Sequence, residues 1–246
     1  MHLDVSDLRN FYARPLGSVV RRLLGHRIRA RWRRADGMTL VGLGYAAPYL
    51  GLYRTEATRL GALMPAEQGA LVWPSSGPVR VAMVSEDALP LPDNSVDRLL
   101  AVHCIELADR PGPLLREMWR IMTPEGRLLL VVPNRRGVWA RLDTTPFGQG
   151  RPYSRGQLEQ LLTNALFTPT DWSGSLFIPP FSSRAILRWS TMCERVGAGL
   201  WPGFSGVNIV EARKELTAPI GRSATVRASG ELASAPGSAA RRQSPP

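Results

Sequence analysis

Among 246 residues there are only two cysteines, three histidines and a single lysine, Lys214. Cys104 and Cys193 lie too far apart in sequence for a CxxC metal pair and are too few for a disulfide framework, so both are expected to be reduced thiols. His2, His26 and His103 cannot assemble a metal cluster, and no metal site is expected. The chain has no GxSxG elbow, no P-loop and no HExxH, which removes the sequence basis for most hydrolase, kinase and metalloprotease chemistry. No apolar run approaches the roughly 20 residues of a membrane-spanning helix. The N-terminal MHLDVSDLRNF carries acids and no long apolar stretch, unlike a signal peptide. Integral membrane association is therefore not expected, and the expected location is cytoplasmic.

Basic charge is abundant but confined. The formal net charge is +11. Residues 1–35 hold nine arginines against Asp4 and Asp7, residues 213–246 hold six basic residues against Glu215 and Glu231, and residues 36–212 balance. A nucleic-acid groove would spread charge over the fold and interleave aromatics for stacking, so nucleic acid is not an expected partner. The first 35 residues read as N-terminal cap helices. Over Leu16 to Trp32, Leu16, Val19, Val20, Leu23, Leu24 and Ile28 share one face, which reads as a cap packed on a sheet; a basic amphipathic helix also allows peripheral membrane contact. From residue 216 the composition turns to Ala, Ser, Gly, Pro and Arg, and a disordered basic tail is expected over 216–246.

The core of the chain carries a βαβ signature. After the turn-rich segment Pro-Leu-Pro-Asp-Asn-Ser comes an apolar run, Leu99 to Val102. A helix follows over about Pro113 to Met122, with apolar residues at 114, 115, 118, 121 and 122 and Pro124 and Gly126 at its end. Leu128 to Val132 is a second apolar run. Two buried-type strands joined by one helix imply a parallel pair with a right-handed crossover, whose ligands collect at the carboxyl ends of the strands. His103 to Glu106 and Pro133 to Arg136 sit there.

The run LPLPDNSVDRLL and the helix-strand segment PLLREMWRIMTPEGRLLLVVPN, with their spacing, resemble the central block of the class I S-adenosylmethionine-dependent methyltransferases, type 11 group; about fifty residues match it well. The resemblance implies a Rossmann-like α/β fold over residues 36–215, a mostly parallel seven-stranded sheet with helices on both faces and an antiparallel last strand. It also implies S-adenosylmethionine as cofactor and a small-molecule or lipid-like methyl acceptor.

The cofactor positions that the resemblance implies are eroded. TLVGLG, residues 39–44, reads as the first strand entering a turn that only glycine lets approach a ligand closely. Gly42 takes the place of the family's acid, Gly44 keeps a glycine, and Ala46 and Pro48 replace two others; the plain alternative is a tight turn. At the end of the second strand, 57–63, Leu63 stands where the family places an acid for the ribose hydroxyls. Losing that partner costs about 1.5–3 kcal/mol, one to two decades of affinity. Glu67 is the nearest substitute. After the third strand, around 79–84, Glu86 is favoured over Ser85 for the adenine contact, with Asp87 beside it; both acids read equally well as a solvated loop or cap. His103 ends the fourth strand and packs beside the cofactor, serves as a base, or is a structural histidine with neither role. No residue declares itself as the catalytic group.

The remaining segments complete the domain. Residues 135–158 form a polar, Gly-rich connection at the edge of the fifth strand with Arg135, Arg136, Arg141, Arg151 and Arg155, suited either to solvent or to an anionic acceptor. Ser154 reads as the N-cap of the next helix. Phe167 to Phe177 and Val207 to Ala212 read as the sixth and seventh strands. Residues 178–205 read as a helical insertion with Ile186, Leu187, Trp189 and Met192 buried, covering the site or serving an oligomer interface. Two readings follow: a methyltransferase, or an inactive pseudo-methyltransferase kept as a binding or scaffolding protein. The family-like fourth and fifth strands favour the enzyme.

Overall fold

The computed structural model describes residues 3–181 and 183–215, so the expected disordered tail lies outside the described residues. The chain opens with helices α1 (Val5–Ala13) and α2 (Pro15–Arg31). Asp4 caps α1 by accepting from the Ser6 amide at 2.7 Å, and Pro15 starts α2, where a missing N–H costs nothing. Then follow β1 (Thr39–Gly44), α3 (Ala47–Leu50), β2 (Arg59–Pro65), β3 (Val81–Val84) and β4 (Val96–Val102). The second half contains α4 (Pro111–Ile121), β5 (Met122–Pro133), α5 (Arg155–Asn164), β6 (Phe167–Ser175), α6 (Arg184–Leu200) and β7 (Val207–Lys214).

The seven strands lie in the order β3-β2-β1-β4-β5-β7-β6. β3, β2, β1, β4 and β5 pair in parallel, and β7 is antiparallel to both its neighbours. The continuous apolar runs of the sequence arise because both faces of the sheet are covered. Leu40, Leu100, Val102, Leu129 and Val131 face α1, α2 and α3, whereas Val41, Leu99, Ala101, Leu128 and Leu130 face α4 and α5. The apolar face of α2, with Leu16, Val20, Leu23, Leu24 and Ile28, is buried against the sheet layer. The apolar stripe of that helix is therefore not on the surface.

Several boundaries differ from the sequence reading for identifiable reasons. α4 ends at Ile121 and β5 begins at once with Met122, which pairs with Val96 and is fully buried. Pro124 and Gly126 instead shape an irregularity inside the strand, with Glu125 at φ 62° and Gly126 packed against the Thr123 carbonyl. The Ser154 cap forms a full capping box: its hydroxyl accepts from the Gln157 amide at 3.3 Å and Gln157 Oε1 accepts from the Ser154 amide at 3.0 Å. The only lysine is buried at the end of β7, where its ammonium donates to Asn94 Oδ1 and the Met122 carbonyl, both at 2.7 Å, and stands 4.0 Å over the Trp119 ring.

One expectation is overturned in α6. Trp189 and Met192 are exposed, not buried. The helix packs through Ser190, Glu194 and Gly197 instead, because a side chain at Gly197 would strike the Phe177 side chain at 2.4–2.9 Å and Glu194 is anchored by Ser175 Oγ and the Phe177 amide. The side chains of Ile186 and Leu187 lie outside what is described. Among the described residues no helix is long and apolar enough to cross a membrane.

Candidate active site

Strand order reverses between β1 and β4, and this switch point is where an open α/β sheet forms its crevice. β1 ends at Gly44, paired with Val102. Gly44 has φ 71°, and a Cβ there would lie 2.5 Å from the Val102 carbonyl oxygen and 2.8 Å from that of His103. Gly42 is equally enclosed: a Cβ would lie 2.7 Å from the Ala46 methyl and 2.8 Å from Leu50 Cδ1. Both glycines are thus required by protein packing, and Ala46 and Leu50 of the following turn and helix occupy the space above Gly42. Leu63 is buried among Val41, Leu43 and Val84 in the core on the α4 side.

At the end of β4 the backbone turns through His103, a non-glycine residue at φ 48°. Such left-handed residues cost on the order of 1–3 kcal/mol and persist where the surroundings over-determine them. Here the Gln68 amide donates to the His103 carbonyl at 3.0 Å, and the ring is clamped against Phe147 with centroids 4.7 Å apart. The side chain is almost wholly buried. Its Nε2 lies 2.9 Å from the Tyr12 hydroxyl of α1, and its Nδ1 is 3.3 Å from Glu106 Oε1, out of line for a hydrogen bond. Glu106 is equally buried and accepts from the Cys104 amide at 3.2 Å.

Tyr49 donates to the Tyr12 oxygen at 3.2 Å, and the Tyr12 hydroxyl in turn shares its hydrogen bond with His103 Nε2. Burial drives the Tyr12 hydroxyl well above its ordinary pKa, reinforced by Tyr49, and so keeps it protonated. Burial likewise pushes up the Cys104 thiol, with Glu106 adding to the effect, so this cysteine is not a thiolate nucleophile. A carboxylate, an imidazole and a phenol thus lie in sequence at the strand end, Tyr12 capping His103 Nε2 and Glu106 standing 3.3 Å from Nδ1 without a hydrogen bond.

Glu86 and Asp87 follow β3. Glu86 is half-buried and its carboxyl is raised by burial and then by Glu67 and Asp109. Asp87 is exposed and paired with Arg110. Glu86 forms part of the wall of two small cavities: one of about 10 Å³ that also touches Leu3, Gln68, His103 and Cys104, and one of about 220 Å³ among Glu67, Asp87, Asp109 and Arg110. Ligand sites usually measure roughly 300–1,000 Å³. Leu3 and the α1 residues Val5, Phe11 and Tyr12 are buried over this edge, so the crevice is shut by the N-terminal segment. Buried polar atoms without hydrogen-bond partners remain inside it: Gln68 Oε1, His103 Nδ1 and Glu106 Oε1. Farther along the same edge, beyond β5, Arg136, Ser154, Arg155, Trp172 and Asn208 surround a cavity of about 560 Å³. Of the five loop arginines, Arg136 and Arg155 line it, Arg155 stacking 4.8 Å over Trp172. No group of three or more His, Cys, Asp or Glu side chains that could hold a metal occurs among the described residues.

Residues 36–130, the strands and helices that build this edge, match the family model described as a methyltransferase domain. The matched segment is 95 of the 246 residues. Solved structures agree on the fold. A Thermotoga maritima protein described as a possible histamine N-methyltransferase superposes with a TM-score of 0.59 at 16% identity, covering 86% of this chain and 96% of that one. The geranyl diphosphate C-methyltransferase of Streptomyces coelicolor gives 0.53 at 13% identity, covering 78% and 77%. The [4+2]-cyclase SpnF gives 0.54 at 21% identity, covering 79% and 80%. No curated protein sequence matches the chain.

Sequence reasoning passed over Tyr12, Gln68 and Glu106. The His103–Glu106 spacing after a strand end was a readable local signal, since the turn brings both side chains inward. Tyr12 had none, because its partner lies 91 residues away.

Proposed function

We propose that this methyltransferase domain transfers a methyl group from S-adenosylmethionine to a small-molecule or lipid-like acceptor, in an open form reached when α1 lifts from the strand ends. The observation that carries this reading is the buried His103–Glu106 pair at the switch point, held in a costly backbone conformation and left with unpartnered polar atoms facing a sealed crevice. The closed form has no room for the cofactor. In the open form the ends of β1, β3 and β4 would hold it, with Glu86 the nearest carboxylate and Gln68 a donor and acceptor released from its present contacts. Once bound, the cofactor supplies an electrophilic methyl group. The chain's own part is to position the acceptor, exclude water and receive the acceptor's proton. Departure of Tyr12 uncovers His103 Nε2 for that proton, while the neighbouring Glu106 carboxylate would offset the charge that the ring gains. The cavity flanked by Arg136 and Arg155 lies on the same sheet edge and suits an acceptor with an anionic group.

The second reading is a pseudo-methyltransferase serving as a binding or scaffolding protein. Leu63 in place of an acceptor and the packing of Ala46 and Leu50 over Gly42 favour it, and the cyclase with this fold shows that the fold does not dictate the reaction. Ultraviolet crosslinking with methyl-labelled S-adenosylmethionine separates the two. The enzyme reading predicts label on peptides containing residues 44–50, 84–89 or 103–107, displaced by excess S-adenosylhomocysteine. Absence of label, or label confined elsewhere, overturns it.

A further inference from the structure

Helix α6 is amphipathic the wrong way round for a helix that only packs on its own domain. Its inner face is Ser190, Glu194 and Gly197, small or polar, whereas Trp189, Met192, Val196 and Leu200 form a stripe at helical spacing on the outside. Trp189, Met192, Leu200 and the following Trp201 and Phe204 are each 57–63% exposed. Phe177, Trp189, Met192 and Val196 border an apolar groove of about 580 Å³. Singly exposed apolar residues are ordinary, but a contiguous patch with two tryptophans marks an interaction surface.

Charge selects the partner. The only acid of α6, Glu194, is buried on the inner face, where it also stands 4.0 Å from Arg27 of α2. Arg188 and Arg195 are exposed, and at roughly 100° per residue they lie about a quarter turn from the apolar stripe, Arg195 at the mouth of the cleft between α6 and α2. Across the adjoining cleft, α2 presents Arg22 and His26, and Pro15–Arg31 contains no acid at all. An apolar stripe edged by arginines and ending in tryptophans is the arrangement of a helix lying in the plane of an anionic lipid surface, with apolar side chains in the acyl boundary and guanidinium groups at the headgroups. A second copy of the chain fits less well, since a two-fold contact would bring the arginines of both copies together.

We infer that α6 docks this protein peripherally on anionic membranes, through Trp189, Met192, Val196, Leu200 and Trp201 with Arg188 and Arg195 as the headgroup contacts. The inference does not depend on cofactor binding. The test is cosedimentation of the full chain with phosphatidylcholine vesicles, with and without phosphatidylglycerol, alongside tryptophan fluorescence. Expected are binding only when phosphatidylglycerol is present, a blue shift of emission, and weakening by salt. Arg188→Ala/Arg195→Ala should lower partitioning about 25-fold, at roughly fivefold per arginine. Trp189→Ala/Leu200→Ala should lower it by at least about tenfold and abolish much of the blue shift. Both pairs are on the surface, so unchanged circular dichroism and melting temperature verify that the variants fold. The inference is overturned by absence of binding, by equal binding to phosphatidylcholine alone, or by variants that bind like the parent, which would assign the affinity to residues outside α6. Elution as a dimer that Leu200→Glu dissociates would also overturn it, assigning the face to self-association.

Discussion

Removing a single oxygen, in Tyr12→Phe, separates the closure of the site from its chemistry. The hydroxyl is the partner of two buried groups, His103 Nε2 at 2.9 Å and the Tyr49 hydroxyl at 3.2 Å. The phenyl ring keeps its stack on Tyr45, with centroids 5.3 Å apart, so little packing is lost. Leaving a buried polar group unpaired costs about 1–3 kcal/mol, and two such groups put the loss near 3 kcal/mol. For a domain of this size that corresponds to a melting temperature lower by roughly 6–12 °C. Those contacts exist only while α1 is seated, so the same loss raises the ratio of open to closed form by up to about 100-fold. Apparent affinity scales with the binding-competent fraction, and S-adenosylhomocysteine should therefore bind the variant more tightly, by up to that factor. Differential scanning calorimetry and isothermal titration on the same preparation measure both effects. A lower melting temperature with unchanged or weakened affinity would refute the reasoning, because α1 would then be part of the fold but not a competitor of the cofactor.

Three further outcomes follow from the geometry. Gly44→Ala should destabilise the whole domain by at least about 3 kcal/mol, since it forces a left-handed alanine against two carbonyl oxygens, and thermal melting should register this without any ligand present. Glu86→Gln should leave the melting temperature unchanged or slightly raised, because burial already disfavours the charge, while weakening S-adenosylmethionine binding about tenfold in titrations. Glu194 carries a carboxyl raised chiefly by burial. A raised carboxyl favours its protonated form in the fold, so its stabilising contribution is present below the unfolded value and is lost as pH rises through the folded one. Melting temperatures of the parent should fall relative to Glu194→Gln as pH rises above the ordinary carboxylate range, and parallel curves would remove Glu194 as the cause.

The sheet was readable because its signals are local and redundant. β4, α4 and β5 announce themselves through continuous apolar runs around an amphipathic helix, and Ser154 with Gln157 declares the start of α5 within four residues. The failures share one cause, that a contact distant in sequence decides the outcome. Trp189 and Met192 look like core by spacing, yet Gly197 must meet Phe177 and Glu194 must meet Ser175, and those constraints turn the apolar stripe outward. Gly42 and Gly44 look like a ligand turn; in the fold, packing alone already requires glycine at both, since Ala46 and Leu50 lie against Gly42 and the Val102 and His103 carbonyls against Gly44. Glu86 and His103 were picked out by position after a strand, and the structure sets them along one closed crevice. The seal itself, Tyr12 on His103, could not be read from either segment alone.

The central claim is that the sealed crevice at the β1–β4 switch point admits the methyl donor. Isothermal titration of the full chain with S-adenosylhomocysteine tests it most directly. The account predicts saturable binding in the micromolar range, about −8 kcal/mol, weakened by Glu86→Gln and strengthened by Tyr12→Phe. No heat and no thermal shift at millimolar ligand, in the parent and in Tyr12→Phe alike, would contradict it and leave the scaffolding reading in its place.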